Sequence, residues 1–163
     1  MAEPRELTSL LDVLLEAQVS FVLVGGLAAV AQGAPLTTHD VDIVHERTPE
    51  NLDRLMFVLE KLEARCRGRA ADSPLPADRR ALAGKGHSLL MTKLGPLDCL
   101  GAIEEGRDYD ALIPLSVEVD FAGRRLRVLA LETIVAIKRQ SSHLKDRQAL
   151  PTLEATLKKL TGG

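Results

Sequence analysis

The chain has 163 residues, 45% of them hydrophobic and 27% charged, which is typical of one globular domain with a sizeable core. A formal net charge of −2 gives no sign of nucleic-acid or membrane binding driven by bulk charge. Three Phe, one Tyr and no Trp argue against a base-stacking surface for single-stranded nucleic acid.

Secretion and membrane insertion are not indicated either. The charged N-terminus lacks a signal-peptide pattern, and the longest apolar run is shorter than the ~20 residues that span a bilayer. Cys66 and Cys99 are too few and too far apart for a metal cluster or a disulfide framework. We therefore expect one cytoplasmic domain over residues 1–163.

The N-terminal third alternates helices and strands. A leucine stripe over residues 6–18 predicts an amphipathic helix that packs on a sheet. Residues 21–24 form a short apolar run that predicts a strand, and Gly25 and Gly26 after it predict a tight turn. The small residues at 27–32 predict a helix.

A second strand follows and carries Asp40 and Asp42. Residues two apart on a strand point to the same side, so the two carboxylates are expected to lie together. The glycine turn opens a helix N-terminus, where free backbone N–H groups suit phosphate. Metal-binding carboxylates beside a phosphate cradle predict nucleotidyl transfer.

The middle of the chain has less regular patterning. Thr48 and Pro49 have the pattern of a helix start, and the helix continues to about residue 62. Residues 63–86 show no hydrophobic period, so we interpret them as a flexible basic loop with a short helix at 78–83. This segment is either a solvated loop or a basic lid that closes over phosphates or touches an RNA partner.

A candidate third carboxylate comes next. Two strands are predicted at 87–94 and 97–100 around a turn at 95–96, and the second contains Asp98. A bare carboxylate among apolar neighbours is costly unless a metal or a partner compensates it. Asp98 is therefore the candidate. The alternatives are Asp120 and Glu118 on a later strand.

The C-terminal part predicts a hairpin and two helices. The hairpin joins residues 116–121 to 124–129, and the helices cover about 131–140 and 145–160. Lys138 shares the apolar stripe of the first helix. It either snorkels to solvent or reaches nucleotide phosphates. The whole pattern indicates an α/β fold with a mixed sheet and flanking helices.

Two-metal phosphoryl chemistry requires carboxylates that hold two divalent ions about 3.5–4 Å apart. Hard oxygen ligands of this kind suit Mg²⁺. We hypothesise that Asp40, Asp42 and Asp98 bind the metals. The substrate would be a nucleoside triphosphate, and the acceptor a hydroxyl of a protein, an RNA or a small molecule.

The ordered set of strand, Gly25-Gly26, helix, Asp40-x-Asp42 and later Asp98 resembles the minimal nucleotidyltransferase superfamily, which has a polymerase-beta-like fold. The chain is most similar to small bacterial proteins grouped near abortive-infection toxin enzymes, over about residues 21–160. This resemblance implies that the two glycines contact the triphosphate. It also implies that the first two aspartates bind metal and that Asp98 is a metal ligand or a base for the acceptor hydroxyl.

The stretch LETIVAIKRQSSHLKD resembles the end of these proteins. The resemblance implies nucleotide binding by Thr38, Lys138 and Lys145. Lys145 and Asp146 also fit a helix start, where the acidic residue is favourable.

Two positions depart from the family pattern, because Leu36 and His143 stand where relatives often carry arginine. The loss of two guanidinium groups removes bidentate phosphate contacts. An alternative function is therefore a catalytically degenerate nucleotidyltransferase scaffold that acts as a binding module in a toxin–antitoxin pair.

Overall fold

The computed structural model describes residues 4–67 and 76–162. Its strands are β1 (Phe21–Val24), β2 (Val41–His45), β3 (Arg65–Cys66), β4 (His87–Thr92), β5 (Gly95–Leu100), β6 (Ser116–Phe121) and β7 (Arg124–Leu129). Its helices are α1 (Pro4–Glu16), α2 (Gly25–Ala31), α3 (Pro49–Lys61), α4 (Arg79–Leu82), α5 (Tyr109–Leu112), α6 (Leu131–Arg139) and α7 (Leu144–Leu160). Short 3₁₀ turns lie at Glu104–Gly106 and Ile113–Leu115.

The strands of the described residues form one mixed sheet in the order β3-β4-β5-β2-β1-β7-β6. The β1–β7 and β2–β5 pairs are parallel, and the other neighbours are antiparallel. The predicted α/β fold with a mixed sheet is therefore confirmed. Strands β1 and β2 lie in the middle of the sheet, so the segment with the glycines and the first two aspartates is central.

Helix α1 shows how the leucine pattern builds the core. Leu7, Leu10, Leu11 and Leu14 recur at helical spacing and are all buried. The helix contacts α3, β2 and β5. Helix α2, which begins with Gly25 and Gly26, contacts β1, β2 and α6, and α6 packs on α7.

The Asn51 side chain in α3 links the two central strands, β1 and β2. The helix begins as predicted, with Thr48 Oγ1 accepting a hydrogen bond from the Asn51 backbone N–H. The fully buried Asn51 side chain accepts from Ser20 N at 2.7 Å and donates to the carbonyls of Ser20 and Glu46. These bonds tie the start of β1 to the end of β2.

Three predicted boundaries differ from the structure. Helix α2 begins directly at Gly25 instead of residue 27, and Asp40 lies just before β2 instead of inside it. The turn between β4 and β5 falls at residues 93–94 instead of 95–96. Thr92 causes this last shift, because its Oγ1 accepts from Leu94 N and donates to the Gly95 carbonyl.

Part of the predicted basic loop forms regular structure. Residues 65–66 form β3, which pairs with β4, and Pro76 bridges back to Arg65. The predicted short helix is confirmed as α4, with Asp78 capping it through Arg80 N. Residues 68–75 of the predicted loop lie outside the described residues.

The C-terminal prediction is also confirmed. Strands β6 and β7 form a hairpin whose turn residues, Ala122 and Gly123, both have positive φ. Helix α7 contains Pro151 in its interior. In the part of the chain that the structure describes, no helix combines the length and apolar character that a bilayer crossing requires.

Candidate active site

The parallel pairing of β2 and β5 brings two distant carboxylates together. Asp42 and Asp98 are direct partners in this register, so their side chains project from the same face of the sheet. Asp40 precedes Asp42 by two residues and reaches the same place. Carboxylate oxygens of all three residues lie within 4.8 Å of one another. The structure thus brings together all three acidic residues that the sequence predicted.

Asp42 lies in an electrostatically unfavourable environment within this cluster. Burial, the neighbouring Asp98 carboxyl and the charge of Asp40 raise its pKa from 3.8 to about 7, although the charge of Arg67 opposes the rise. Its Oδ1 atom is buried and has no hydrogen-bond partner among the described residues. A carboxylate in this environment is suited to accept a cation.

Gly25 lies directly against Asp42, because Val24 is the register partner of Asp42. Gly25 has φ +71°, and a Cβ added to it would lie 2.3 Å from Asp42 Oδ2. Only glycine fits this position, both sterically and conformationally. The Gly26 position is also tight, because a Cβ added there would lie 3.2 Å from Thr38 Oγ1.

Lys138 faces the same cleft from helix α6. A cavity of about 150 Å³ is lined by Gly25, Asp42, Ile134, Lys138 and other residues. The ammonium group donates to Asp146 Oδ1 at 2.8 Å, and Ser141 Oγ donates to the other oxygen of that carboxylate. These two bonds hold the Asp146 pKa below its usual range. The sequence offered snorkelling to solvent or contact with nucleotide phosphates for Lys138; the structure shows that it lines this cavity and pairs with Asp146.

The two remaining predicted nucleotide ligands differ in position. Thr38 packs against Gly26, and its Oγ1 lies 3.4 Å from the Asp40 carbonyl, so it belongs to the cluster's surroundings. Lys145 is exposed in the first turn of α7 and does not line the cavity that contains Lys138. Its predicted role has no geometric support comparable to that of Lys138.

The alternative third carboxylates lie elsewhere. Strand β6, which carries Glu118 and Asp120, is separated from β2 by β1 and β7. Both side chains form ion pairs with Arg125, and Glu118 also pairs with Arg127. They are therefore charge partners on an edge hairpin, and Asp98 is the residue that joins the cluster.

Two residues near the cluster were not predicted as site residues. Arg67 had been counted only among the charges of the basic loop, yet its Nη1 donates to Asp98 Oδ1 at 2.7 Å. Glu104 and Lys138 both line the cavity of about 150 Å³, and Glu104 also lines a second cavity of about 370 Å³. Neither contact has a local sequence signal, because each depends on long-range pairing.

The cluster has the properties of a site for hard divalent cations. All its donors are carboxylate oxygens, which Mg²⁺ prefers, and one of them is an unpartnered buried atom. The absent side chain of Gly25 keeps the space beside Asp42 open. The residues present therefore fit such an ion.

Comparisons with known proteins place this geometry in context. No protein family model and no curated protein sequence matches the chain. Solved structures do match. The lincosamide antibiotic adenylyltransferase LnuA, bound to lincomycin, has a TM-score of 0.65 at 15% identity, covering 95% of this chain and 98% of its own.

Two further solved structures also match the chain. ANT(2″)-Ia in complex with adenylyl-2″-tobramycin has a TM-score of 0.59 at 17% identity, with coverage of 93% of this chain and 87% of its own. TM1012 from Thermotoga maritima has a TM-score of 0.58 at 20% identity, with coverage of 98% and 96%. The fold is therefore that of the nucleotidyltransferases, as the sequence resemblance implied.

Proposed function

We propose that the protein is a Mg²⁺-dependent nucleotidyltransferase that moves a nucleotidyl group from a nucleoside triphosphate to a hydroxyl. One observation carries the proposal: Asp40, Asp42 and Asp98 converge beside the close approach of Gly25 to Asp42. The nucleotidyltransferase fold supports it independently. A convergent carboxylate cluster on such a fold is the arrangement that phosphoryl chemistry needs.

At the α-phosphorus, the reaction forms one bond and breaks one. The acceptor oxygen bonds to the α-phosphorus, the bond from that phosphorus to the bridging oxygen of the β-phosphate breaks, and pyrophosphate leaves. Divalent ions held by the three carboxylates would lower the pKa of the acceptor hydroxyl and offset the triphosphate charge. Asp98 would accept the hydroxyl proton, while Gly25 leaves room for the phosphates.

We propose that the acceptor is a small molecule and not a protein or an RNA. The cavity of about 370 Å³ shares Ile137 with the cavity beside Asp42, as well as Glu104, and it falls within the size range of small-molecule sites. LnuA was solved with lincomycin, and ANT(2″)-Ia with an adenylylated tobramycin. We propose a hydroxyl-bearing small molecule for this chain by analogy.

Calorimetry with each of the four nucleoside triphosphates and Mg²⁺ tests the proposal. We expect binding of at least one of them, with Mg²⁺ required, in the wild type. Binding should disappear in Asp40→Ala and in Asp42→Ala. Binding that persists in both variants would refute the enzymatic proposal.

Lys138→Ala is expected to weaken nucleotide binding about 10- to 100-fold, because a partly buried ammonium facing phosphate contributes more than an exposed one. The matched control is Arg139→Ala. Arg139 is the next residue of the same helix, but its side chain is 56% exposed and pairs with Glu154. Titration of both variants with the best-binding triphosphate separates the two roles, and equal affinities would exclude Lys138 from the site.

A scaffold without activity is the second candidate, and Leu36 and His143 favour it because no arginine stands at either position. Such a module would bind a partner protein in a toxin–antitoxin pair. Expression of the wild type beside Asp42→Ala in a bacterial cytoplasm distinguishes the two functions. A toxic enzyme slows growth only as wild type, whereas a scaffold acts equally in both forms.

A further inference from the structure

Arg67 contacts both the carboxylate cluster, through Asp98, and the backbone of strand β4. Its Nη1 donates to Asp98 Oδ1 at 2.7 Å and to the Leu90 carbonyl at 2.8 Å. The Arg67 backbone N–H also donates to the Leu89 carbonyl at 2.8 Å, so the residue is fixed at both ends. The two charged side chains are 26% and 14% exposed. This is a partly buried ion pair with a defined geometry.

The ion pair occupies one of the two oxygens of a carboxylate that belongs to the cluster. Asp98 belongs to the three-carboxylate cluster, and the guanidinium offsets part of its negative charge. The other cation of the cleft, Lys138, is bound to Asp146. Among the described residues, Arg67 is thus the cation that directly contacts the cluster.

We propose that Arg67 is an internal counter-ion that holds Asp98 in the metal-free protein and releases it when a metal arrives together with a triphosphate. The proposal rests on the proposed function of the cluster as a nucleotide–metal site. Its consequence is cooperativity: the protein binds free divalent ions weakly and binds them tightly only with nucleotide.

The physical reason is a balance of charges. A free ion must displace the guanidinium from Asp98 and then remain close to its positive charge. A triphosphate changes that balance, because its oxygens supply new acceptors for the displaced guanidinium. Arg67 therefore opposes the metal alone and supports the metal–nucleotide complex.

Mn²⁺ binding measured by calorimetry tests this coupling, with and without α,β-methylene ATP. We expect Arg67→Gln to bind Mn²⁺ alone about tenfold more tightly than the wild type and to lose most of the enhancement by the analogue. Arg67→Lys retains the positive charge and should keep weak binding of Mn²⁺ alone.

Arg47 provides a matched control. It pairs with Asp108 at 3.2 Å, donates to the Ala83 carbonyl and has a similar 24% exposure, and neither partner belongs to the three-aspartate cluster. Arg47→Gln should therefore leave both Mn²⁺ affinities within about twofold of wild type. A loss of stability alone would affect the Arg47 and Arg67 variants alike.

A second measurement does not depend on the folding of a variant. In ¹⁵N-arginine NMR spectra of the wild type, the Arg67 guanidinium signal should shift on addition of Mg²⁺ with α,β-methylene ATP. It should stay in place with the same concentration of Mg²⁺ alone. Arg67→Lys identifies the signal by its loss.

The outcomes separate this inference from the proposed function. Unchanged or weaker Mn²⁺ binding in Arg67→Gln, or an Arg67 signal that ignores the metal–analogue complex, overturns the counter-ion role. If wild-type Mn²⁺ binding does not depend on Asp42, the metal site itself is refuted, whatever the Arg67 variants show.

Discussion

Asp42→Asn is expected to abolish nucleotidyl transfer and, at the same time, to stabilise the metal-free protein at pH 8. Activity falls by at least about 10³-fold because a central metal-binding carboxylate is lost. Stability rises because burial and two acidic neighbours make the ionised Asp42 carboxylate unfavourable in the folded state. We expect a gain of about 2 kcal/mol.

The pH dependence has a definite sign. The folded-state pKa of Asp42 lies at about 7, above the value of 3.8 that holds when the chain is unfolded. The folded wild type therefore binds the proton more tightly and loses stability as the pH rises between about 4 and 7. The advantage of Asp42→Asn should be greatest at pH 8 and vanish near pH 4.

Thermal unfolding of both proteins at pH 5 and pH 8, with and without Mg²⁺ plus α,β-methylene ATP, measures this effect. The metal–analogue complex should stabilise only the wild type. Asp120→Asn is the control, since Asp120 is an exposed strand aspartate paired with Arg125. If metal-free Asp42→Asn were less stable than the metal-free wild type at pH 8, the claim that the ionised Asp42 carboxylate destabilises the folded protein would be contradicted.

Gly25→Ala is expected to destabilise the protein by about 3 kcal/mol and to eliminate activity. Two separate costs combine, the positive φ of +71° and the 2.3 Å approach of the new Cβ to Asp42 Oδ2. Asp42 must move to make room, and the carboxylate cluster then loses its arrangement. Urea unfolding gives the stability change, and pyrophosphate release gives the activity.

Gly123→Ala separates the two costs. Gly123 has a φ of +86°, but a Cβ added to it would meet no atom within 4 Å, so it measures the backbone cost of about 1 kcal/mol alone. Combining Gly25→Ala with Asp42→Ala should recover part of the lost stability, because the closest contact, with Asp42 Oδ2, is removed. Additive effects in that double variant would show that Gly25 does not press on Asp42.

Much of the candidate site could be predicted from the sequence because its charged residues stand out among apolar neighbours. Asp98 was identifiable as a charged residue in an apolar strand, and the Asp40 and Asp42 spacing matched a strand period. Their convergence was harder to predict, because it depends on the parallel pairing of β2 with β5, which joins segments more than fifty residues apart. No local pattern encodes that register.

Two features were missed, one for a local and one for a long-range reason. The glycine and proline at positions 95–96 suggested a turn, but hydrogen bonds between Thr92 Oγ1 and the backbone of Leu94 and Gly95 move it to 93–94. Arg67 was assigned to a loop and does lie in a bend just beyond the two-residue strand β3, but its contact with Asp98 was not expected. Its contact with Asp98 exists only because β3 pairs with β4.

The Gln32 side chain restricts the movement of one wall of the cleft, which is formed by α2 and α6. Its side-chain amide donates to the carbonyls of Ala28 and Leu129, and its oxygen accepts from Leu131 N. The end of α2 is thereby fastened to the start of α6. Movement of α2 against α6, the helices that carry Gly25 and Lys138, is therefore restricted, so a bound molecule would spend little of its affinity on immobilising that wall. We expect the site to prefer molecules whose length matches the gap between the two helices.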